Sequence, residues 1–259
     1  MLEAINLHKS FGQIQAVRGL SFVVEKGEIL GCMGPNGAGK STTMRMITGF
    51  LPPSAGTAKV CGHDVQTDPV AAKSMMGYLP ESAPVYRDMT VSGFLHFVAR
   101  IRGYCKALAK DKVEAVMRKC YLEDVRYQSI DTLSKGFRQR VCCAQAVLHD
   151  PPVLVMDEPT DGLDPNQKRL VRNMIREMAS EKAIVVSTHI LEEIDALCTR
   201  AIIIARGVVV ANGTPAELKA KSPTGRLDDM FWELTMGPES PARAPAGQDR
   251  GHACVQRGG

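Results

Sequence analysis

The 259-residue sequence predicts an α/β fold with a mostly parallel β-sheet, and three observations lead to this prediction. Short apolar runs alternate with amphipathic helical segments after residue 150, which is the pattern of strands and helices in turn. A glycine-rich loop near residue 34 separates an apolar run from a helical segment. The segment 82–150 has helical periodicity and contains no convincing strand. Such an alternation is typical of parallel sheets covered by helices on both faces.

The first part of the chain predicts a small antiparallel β subdomain and the first strand of the main sheet. Apolar residues alternate through the first 24 residues, and two glycines divide them into three short strands. Residues 28–33 (EILGCM) predict a buried strand, and a helix is expected over about residues 40–48. Residues 52–56, which include two prolines, a serine and a glycine, predict a loop.

The later elements are predicted from the same periodicities. Within the segment 82–150, helices are expected over residues 90–101 and 108–120. An apolar stripe predicts an amphipathic helix over residues 166–179. The other elements expected after residue 150 are strands at 153–157 and 183–188, a helix at 190–197, a hairpin of strands 201–205 and 208–211, and a C-terminal helix at 227–235.

These elements predict one large folded unit with two short C-terminal parts. The folded unit is expected to span residues 1–220, with the helical subdomain inserted at about 82–150. Residues 221–236 are expected to contain the short C-terminal helix. Residues 237–259 are rich in Pro, Ala, Gly and Arg and hold too little apolar material to offset the entropy of ordering. We therefore expect a disordered tail.

Composition and charge exclude several classes of protein. The chain has 32 Lys and Arg against 28 Asp and Glu, and a net charge of +4 without a dense basic block predicts no nucleic-acid partner. No window reaches the roughly 18 consecutive apolar residues of a transmembrane helix, and the N-terminal residues do not form a secretory signal. We expect neither a membrane-spanning nor a secreted protein. The eight cysteines include no C-x-x-C pair, which favours free thiols in a reducing cytosol.

The glycine-rich loop has the composition of a phosphate-binding loop. It matches G-x-x-x-x-G-K-[ST] between an apolar strand and a helix, which is the context that this motif requires. Its glycines allow backbone amides to turn toward phosphate oxygens, and the helix dipole favours the same negative charge. Lys40 would contact the β- and γ-phosphates, and Ser41 would ligate Mg²⁺. The residues expected to bind the nucleotide here are Gly34, Pro35, Asn36, Gly37, Ala38, Gly39, Lys40, Ser41 and Thr42.

A second strand ends in two acidic residues. Residues 153–156 are apolar, and Asp157 and Glu158 follow them directly. Buried acids at a strand end are costly unless a cation or a reaction uses them. Asp157 is expected to hold Mg²⁺ through water opposite Ser41, and Glu158 is expected to accept a proton from the attacking water.

Five motifs together resemble the ATP-binding subunit of ABC transporters, over roughly residues 2–220. They occur in the family's order and are Phe11, the phosphate loop, LSKGFRQR from Leu133, VLVMDEPTDGLDP from Val153, and STH at Ser187–His189. The resemblance implies a P-loop NTPase core of the RecA-like type, with ATP and Mg²⁺ as ligands. It also implies an ATPase that dimerises head to tail and drives integral membrane permease subunits from the cytoplasmic face of the membrane.

The resemblance also implies a role for each matching residue. Phe11 would stack on adenine, Glu158 would be the catalytic base, and His189 would contact the γ-phosphate. The remaining assignments are Asp157 as the Mg²⁺-side carboxylate, Asp164 in communication across the dimer interface, and Ser134 and Gly136 of the signature in contact with the ATP held by the opposite subunit.

Two positions depart from the family pattern. The signature usually reads LSGGQ, and here Lys135 and Phe137 replace two of its residues, from which we expect competence with altered packing or affinity. After Leu79-Pro80 the family commonly has a glutamine that touches Mg²⁺ and links to the membrane subunit, whereas this chain has Glu81. A carboxylate can still ligate Mg²⁺, but it adds negative charge near the γ-phosphate.

The narrower resemblance is to the gliding-motility-type branch of type-2 exporters, which implies export and leaves the cargo open. The second cassette is expected to be another copy of this chain, although a related cassette is an alternative. A soluble ABC-type ATPase that acts without a permease, as in DNA repair or translation, is the alternative function. Such proteins have a coiled coil, zinc-binding cysteines or two tandem cassettes, which this sequence lacks. A nucleotide kinase would lack the signature and the histidine, and a non-hydrolysing scaffold would lack Glu158.

Overall fold

Two β-sheets organise the chain in the computed structural model, which describes residues 1–82, 84–222 and 224–236. The first sheet is antiparallel. It consists of Leu2–Phe11 (β1), Ile14–Val24 (β2), Ala55–Val60 (β4) and His63–Asp64 (β5), in the spatial order β2-β1-β4-β5.

The second sheet forms the centre of the molecule. Its strands are Ile29–Met33 (β3), Met76–Leu79 (β6), Val153–Asp157 (β7), Ala183–Thr188 (β8), Arg200–Ala205 (β9) and Val208–Gly213 (β10), in the order β10-β9-β3-β8-β7-β6. The β9–β10 pair is antiparallel, and the other four neighbouring pairs are parallel. The predicted α/β class with a mostly parallel sheet is therefore confirmed.

Helices lie on both faces of the central sheet. In chain order they are Lys40–Ile47 (α1), Pro69–Ser74 (α2), Val91–Ile101 (α3), Lys106–Lys119 (α4), Lys135–Val147 (α5), Pro165–Ala179 (α6), Leu191–Leu197 (α7), Pro215–Ala220 (α8) and Leu227–Thr235 (α9). Side-chain caps define several of their starts. Thr90 accepts a hydrogen bond from the Gly93 amide at 3.1 Å to begin α3, and Thr214 and Glu217 form a reciprocal capping box on α8.

The core is divided by the central sheet into two apolar clusters. Alternate side chains of β7 point to opposite faces, as the pleat of a strand requires. Val153 and Val155 pack with α1 and the antiparallel sheet, whereas Leu154 and Met156 pack with the helices α3 to α6. Because both faces are covered, the central strands are continuous apolar runs, which is why the sequence located them.

The turn between β9 and β10 joins the two sheets to the glycine-rich loop. The Gly207 amide donates to the carbonyl of Ala38 at 2.9 Å, and the Gly207 carbonyl accepts from the Arg18 amide at 2.7 Å. The Arg18 side chain also donates through Nε to the carbonyl of Arg206 at 2.9 Å. One two-residue turn therefore connects strand β2, the loop and the central sheet.

Sequence periodicity missed the shortest elements and divided one strand wrongly. Gly19 does not end a strand, because β2 continues through it with a φ of +75°. The predicted loop at 52–56 is shorter, since β4 begins at Ala55. Neither β5, β6 nor α2 was expected, and each has only two to six residues, too few for a periodic signal.

Two expectations fall partly or wholly outside the described residues. The predicted disordered tail, 237–259, lies outside them, as does Cys254. The seven cysteines within the described residues are free thiols. In the same part of the chain, no helix is both long enough and apolar enough to span a bilayer.

His149 makes stability depend on pH. Its Nε2 lies 3.1 Å from the Met76 carbonyl and so must carry the proton, while its buried Nδ1 has no hydrogen-bond partner among the described residues. Burial lowers the pKa of His149 to about 4, and the positive charges of Arg102 and Lys182 act in the same direction. The folded chain therefore holds a neutral imidazole at pH values where the unfolded chain is already protonated.

We expect the free energy of unfolding to decrease by about 1–2 kcal/mol on this account as the pH falls from 6.5 to 4, allowing for solvent screening. His149→Gln keeps an N–H donor for Met76 and should lack this component. Denaturant unfolding of both proteins at pH 7 and pH 4.5 measures the difference. The wild-type protein should lose more stability than the variant, and equal losses would contradict the prediction.

Candidate functional site

The glycine-rich loop, residues 34–41, follows β3 and includes the first two residues of α1, and it packs closely against neighbouring backbone. Gly39 has a φ of +106°, and a Cβ there would lie 2.6 Å from the carbonyl oxygen of Ala16. A Cβ on Gly34 would lie 2.2 Å from the carbonyl oxygen of Ile204. Both positions require glycine, in the first case for conformation as well as for space.

The start of α1, beside this loop, has no side-chain cap among the described residues. The helix begins at Lys40 with Gly39 as its N-cap. The amides of a first helical turn have no partners within the helix, and the positive end of the helix dipole lies at the same place. Phosphate oxygens are the ligands that such a terminus favours.

Lys40 is buried at the base of the loop, with 6 % of its side chain exposed. Its Nζ donates to the carbonyl oxygens of Gly34 at 2.7 Å and Pro35 at 3.2 Å, and it lies 3.9 Å from Glu158 Oε1. Burial lowers the pKa of Lys40, while the negative charges of Glu158 and Asp157 act in the opposite direction. A buried positive charge therefore lies at the base of the loop, where it would favour an anionic ligand.

Asp157 connects the loop to the ends of two neighbouring strands. Its Oδ1 accepts a hydrogen bond from Ser41 Oγ at 3.2 Å and another from Ser187 Oγ at the end of β8. Asp157 is buried, and Ser41 is partly exposed. A hydroxyl and a carboxylate therefore meet at the start of α1, and both are hard oxygen ligands.

Glu158 occupies the next position and has an unusual backbone. Its φ of +51° turns the chain sharply at the end of β7, and its amide donates to Ser187 Oγ at 3.0 Å. Its Oε2 lies 2.9 Å from His189 Nδ1. Burial raises the pKa of Glu158, although His189 and Lys40 both lower it. A carboxylate with a raised pKa is a stronger base than one in water.

These groups surround a cavity of about 570 Å³. Its lining includes six of the nine residues predicted from the loop, together with Glu158, Glu81 and His189. Its lining consists of Ala16, Asn36, Gly37, Gly39, Lys40, Ser41, Thr42, Glu81, Glu158, Asp161 and His189. A cavity with one cation, uncapped amides and a carboxylate–imidazole pair can hold a polyphosphate and move a proton beside it.

Eight predicted residues lie outside the lining of this cavity, and three of them, Gly34, Pro35 and Ala38, belong to the glycine-rich loop. Asp157 is buried behind Ser41, as described above. Phe11 is half exposed near the end of β1, with Lys9 Nζ 5.2 Å from its ring centroid. Ser134 accepts a hydrogen bond from the Phe137 amide at 3.4 Å and caps α5, Gly136 packs against Gln167, and Asp164 caps α6.

The structure adds residues that the sequence did not identify. Lys135, which departs from the signature pattern, reaches Asp161 at 3.4 Å and lies against Gly162. Asp161 itself lines the cavity. Its acidic character within the DEPTDGLDP run was the signal that could have found it, whereas Ala16 carries no signal in its residue type.

Comparisons with known proteins agree with this geometry. Residues 17–161 match the family described as ABC transporter. The chain is 37 % identical over 219 residues to the Nod factor export ATP-binding protein I of Ralstonia nicotianae, covering 84 % of this chain and 68 % of that protein. It is 35 % identical over 234 residues to the probable multidrug ABC transporter ATP-binding protein YbhF of Escherichia coli, covering 90 % of this chain and 40 % of that protein.

A solved structure has the same fold. It is described as the ATP-binding subunit of an ABC transporter, and it superposes with a TM-score of 0.81 at 29 % identity. The match covers 90 % of this chain and 99 % of the other. The similarity therefore extends across both sheets and the intervening helices.

Proposed function

The chain belongs to the ABC transporter family, as an ATP-binding subunit that couples ATP hydrolysis to transport, and we propose that it works as a head-to-tail dimer beneath permease subunits. In this dimer the phosphate loop of one copy faces the signature of the other. The proposed cassette comprises residues 1–220 with a helical subdomain at about 82–150, followed by a short helix and a tail.

The observation that carries the proposal is the separation of the phosphate loop from the signature within one chain. The cavity is lined by the loop, Glu158 and His189, whereas Ser134 and Gly136 are not part of it. Yet Ser134 begins an α-helix, and the hydroxyl and amides at such a terminus favour an anion. Pairing two chains head to tail would bring that second anion site to the phosphates of the first.

Within each site the described residues divide the chemistry between them. The loop amides and Lys40 bind and orient the β- and γ-phosphates. The amides donate hydrogen bonds to the phosphate oxygens, and Lys40 supplies a positive charge. Glu158 accepts the proton of the attacking water, and its raised pKa favours that transfer. His189, held at 2.9 Å from Glu158, orients the carboxylate and reaches toward the γ-phosphate. Phe11 stacks on the adenine from the edge of β1.

The oxygen groups at the start of α1 suit Mg²⁺. Ser41 Oγ lies 3.2 Å from Asp157 Oδ1, and Ser41 and Glu81 both line the cavity of the site. Among the described residues no cluster of three His, Cys, Asp or Glu could enclose a metal. The hydroxyl and the carboxylates are oxygen ligands of the kind that Mg²⁺ takes, since this ion keeps several waters and binds through one or two carboxylates and the substrate phosphates. When bound, the ion would neutralise charge on the β- and γ-phosphates.

The direction of transport that we propose is export. The two curated relatives are described as a Nod factor export protein and a probable multidrug transporter, and both descriptions are compatible with export. The membrane partners would dock on the helical subdomain near Glu81, on the cytoplasmic face. Hydrolysis would cleave the γ-phosphate from ADP, and departure of the phosphate would remove the charge that joins the two copies. Their separation would then move the permease subunits.

Purification of the full chain tests this function. We expect ATP hydrolysis that requires Mg²⁺, and we expect the chain to co-purify with an integral membrane protein from its own cell. Omission of Mg²⁺ and an unrelated membrane protein are the controls. Hydrolysis without any membrane partner in the purified complex would favour the soluble ABC-type ATPase instead, and absence of hydrolysis would contradict both.

A further inference from the structure

A buried carboxylate outside the cavity links the two segments that carry Glu158 and His189. Glu193 lies in the first turn of α7 and is 1 % exposed. Its Oε1 accepts a hydrogen bond from Thr160 Oγ1, and its Oε2 accepts one from Thr188 Oγ1 at 3.4 Å. Thr160 and Thr188 are each 1 % exposed as well. One side chain therefore contacts both segments at once.

The two threonines are close in the chain to Glu158 and His189. Thr160 follows Glu158 by two residues, in a turn that is closed by hydrogen bonds from the Asp161 amide to the Glu158 carbonyl at 3.2 Å and from the Leu163 amide to the Thr160 carbonyl at 3.3 Å. Thr188 directly precedes His189, and its hydroxyl also accepts from the Ile190 amide at 3.1 Å. A displacement of either threonine would therefore move Glu158 or His189.

The energetics of the cluster argue against a role in stability alone. A buried carboxylate requires several compensating interactions, and an apolar residue in its place is often as stable or more so. Here the compensation comes from the two hydroxyls and from Arg172 on α6, whose Nη2 lies 3.4 Å from Glu193 Oε1. Arg172 Nε is buried without a hydrogen-bond partner among the described residues. A charge at this position therefore has a cost in stability that an apolar residue would avoid.

We propose that Glu193 is a positioning residue that holds the turn after Glu158 and the end of β8 at a fixed separation, and so sets the contact between Glu158 and His189. Its side-chain partners among the described residues are Thr160, Thr188 and Arg172, and none of these lines the cavity. Glu158 makes this contact from a left-handed backbone conformation, which persists only where the surrounding structure enforces it. This inference rests on the proposed role of Glu158 and His189 in ATP hydrolysis.

Glu193→Gln tests the proposal, with Glu192→Gln as the matched control. Both variants remove one carboxylate from α7, but Glu192 is exposed. We expect kcat of Glu193→Gln to fall about tenfold, because small displacements of reacting groups reduce rates strongly. The affinity for ATP measured without Mg²⁺ should stay within about twofold of the wild type, since Lys40 and the loop are unaltered. The Glu192 variant should match the wild type in both.

A second pair of variants tests the hydrogen bond of Thr160 while leaving the Glu193 carboxylate in place. Thr160→Val removes the hydroxyl with little change in shape and should lower kcat like Glu193→Gln. Thr160→Ser keeps the hydroxyl and should have the kcat of the wild type. Amide hydrogen exchange followed by mass spectrometry should be about tenfold faster in the segments 158–163 and 187–190 of both impaired variants, and unchanged elsewhere.

Three outcomes would overturn the proposal. The first is kcat of Glu193→Gln equal to that of Glu192→Gln, and the second is unchanged exchange in both segments. The third is faster exchange throughout the chain with a parallel loss of ATP affinity, which is the behaviour of a general structural residue. The exchange data do not depend on catalysis. If the wild-type chain hydrolysed no ATP, the proposed function would be contradicted. Hydrogen exchange would still show whether Glu193 holds the segments 158–163 and 187–190 in place.

Discussion

Replacement of Glu158 by glutamine should slow ATP hydrolysis about 100- to 1,000-fold, because an amide cannot accept the proton of the attacking water. The substitution is nearly isosteric, and the amide can still contact His189. It also removes a negative charge 3.9 Å from Lys40, next to the expected position of the phosphates. ATP affinity should therefore be equal to or higher than that of the wild type, and the loss should appear in kcat.

The same variant should accumulate as an ATP-bound dimer. Slow hydrolysis leaves in place the nucleotide that joins two copies, and light scattering after size-exclusion chromatography would detect a doubled mass with ATP and Mg²⁺. Glu177→Gln, an exposed carboxylate on α6, is the control for the change in charge. Wild-type turnover in Glu158→Gln would show that another group is the base. Slow turnover with a monomeric mass would contradict the head-to-tail dimer.

Replacement of Lys40 by methionine should weaken ATP binding about 10- to 100-fold. Hydrogen bonds to charged groups contribute about 1.5–3 kcal/mol, and Lys40 is the buried cation of the cavity. Methionine has a similar length and no charge. Because burial lowers the pKa of Lys40, its charged form is held at a cost in the folded chain. The variant should therefore unfold at the same temperature as the wild type or at a higher one.

Titration calorimetry with ATP and a thermal unfolding curve measure these two effects. Lys110→Met, at an exposed position on α4, is the matched control and should bind ATP normally. A large loss of thermal stability in Lys40→Met would mean that the lysine supports the fold of the loop through Gly34 and Pro35. Unchanged ATP affinity would contradict its contact with the phosphates.

The sequence was informative where burial or local chemistry imposes a pattern. The strands that contain Ile29, Val153 and Ala183 are buried on both faces and appear as apolar runs. The phosphate loop was recognisable because the close approach of its backbone to Ala16 and Ile204 requires glycine. Asp157 and Glu158 could be located because they directly follow the apolar strand at residues 153–156.

What the sequence left out depends on contacts between distant segments. Glu193 looks like any acidic residue on the surface of an amphipathic helix, and only the packing of α7 against Thr160 and Thr188 reveals its burial. The pairing of Lys135 with Asp161 likewise joins positions 26 residues apart. Such contacts follow from tertiary structure, and a single sequence contains no periodic trace of them.

The turn at Arg206-Gly207 has a consequence for the thermodynamics of nucleotide binding. Its hydrogen bonds to Ala38 and Arg18 tie the phosphate loop to both sheets through protein groups alone. A loop that is already ordered loses little conformational entropy when it closes around phosphates, so more of the interaction energy remains as affinity. Residues of this turn, which do not line the cavity, are thus part of what makes the loop preorganised.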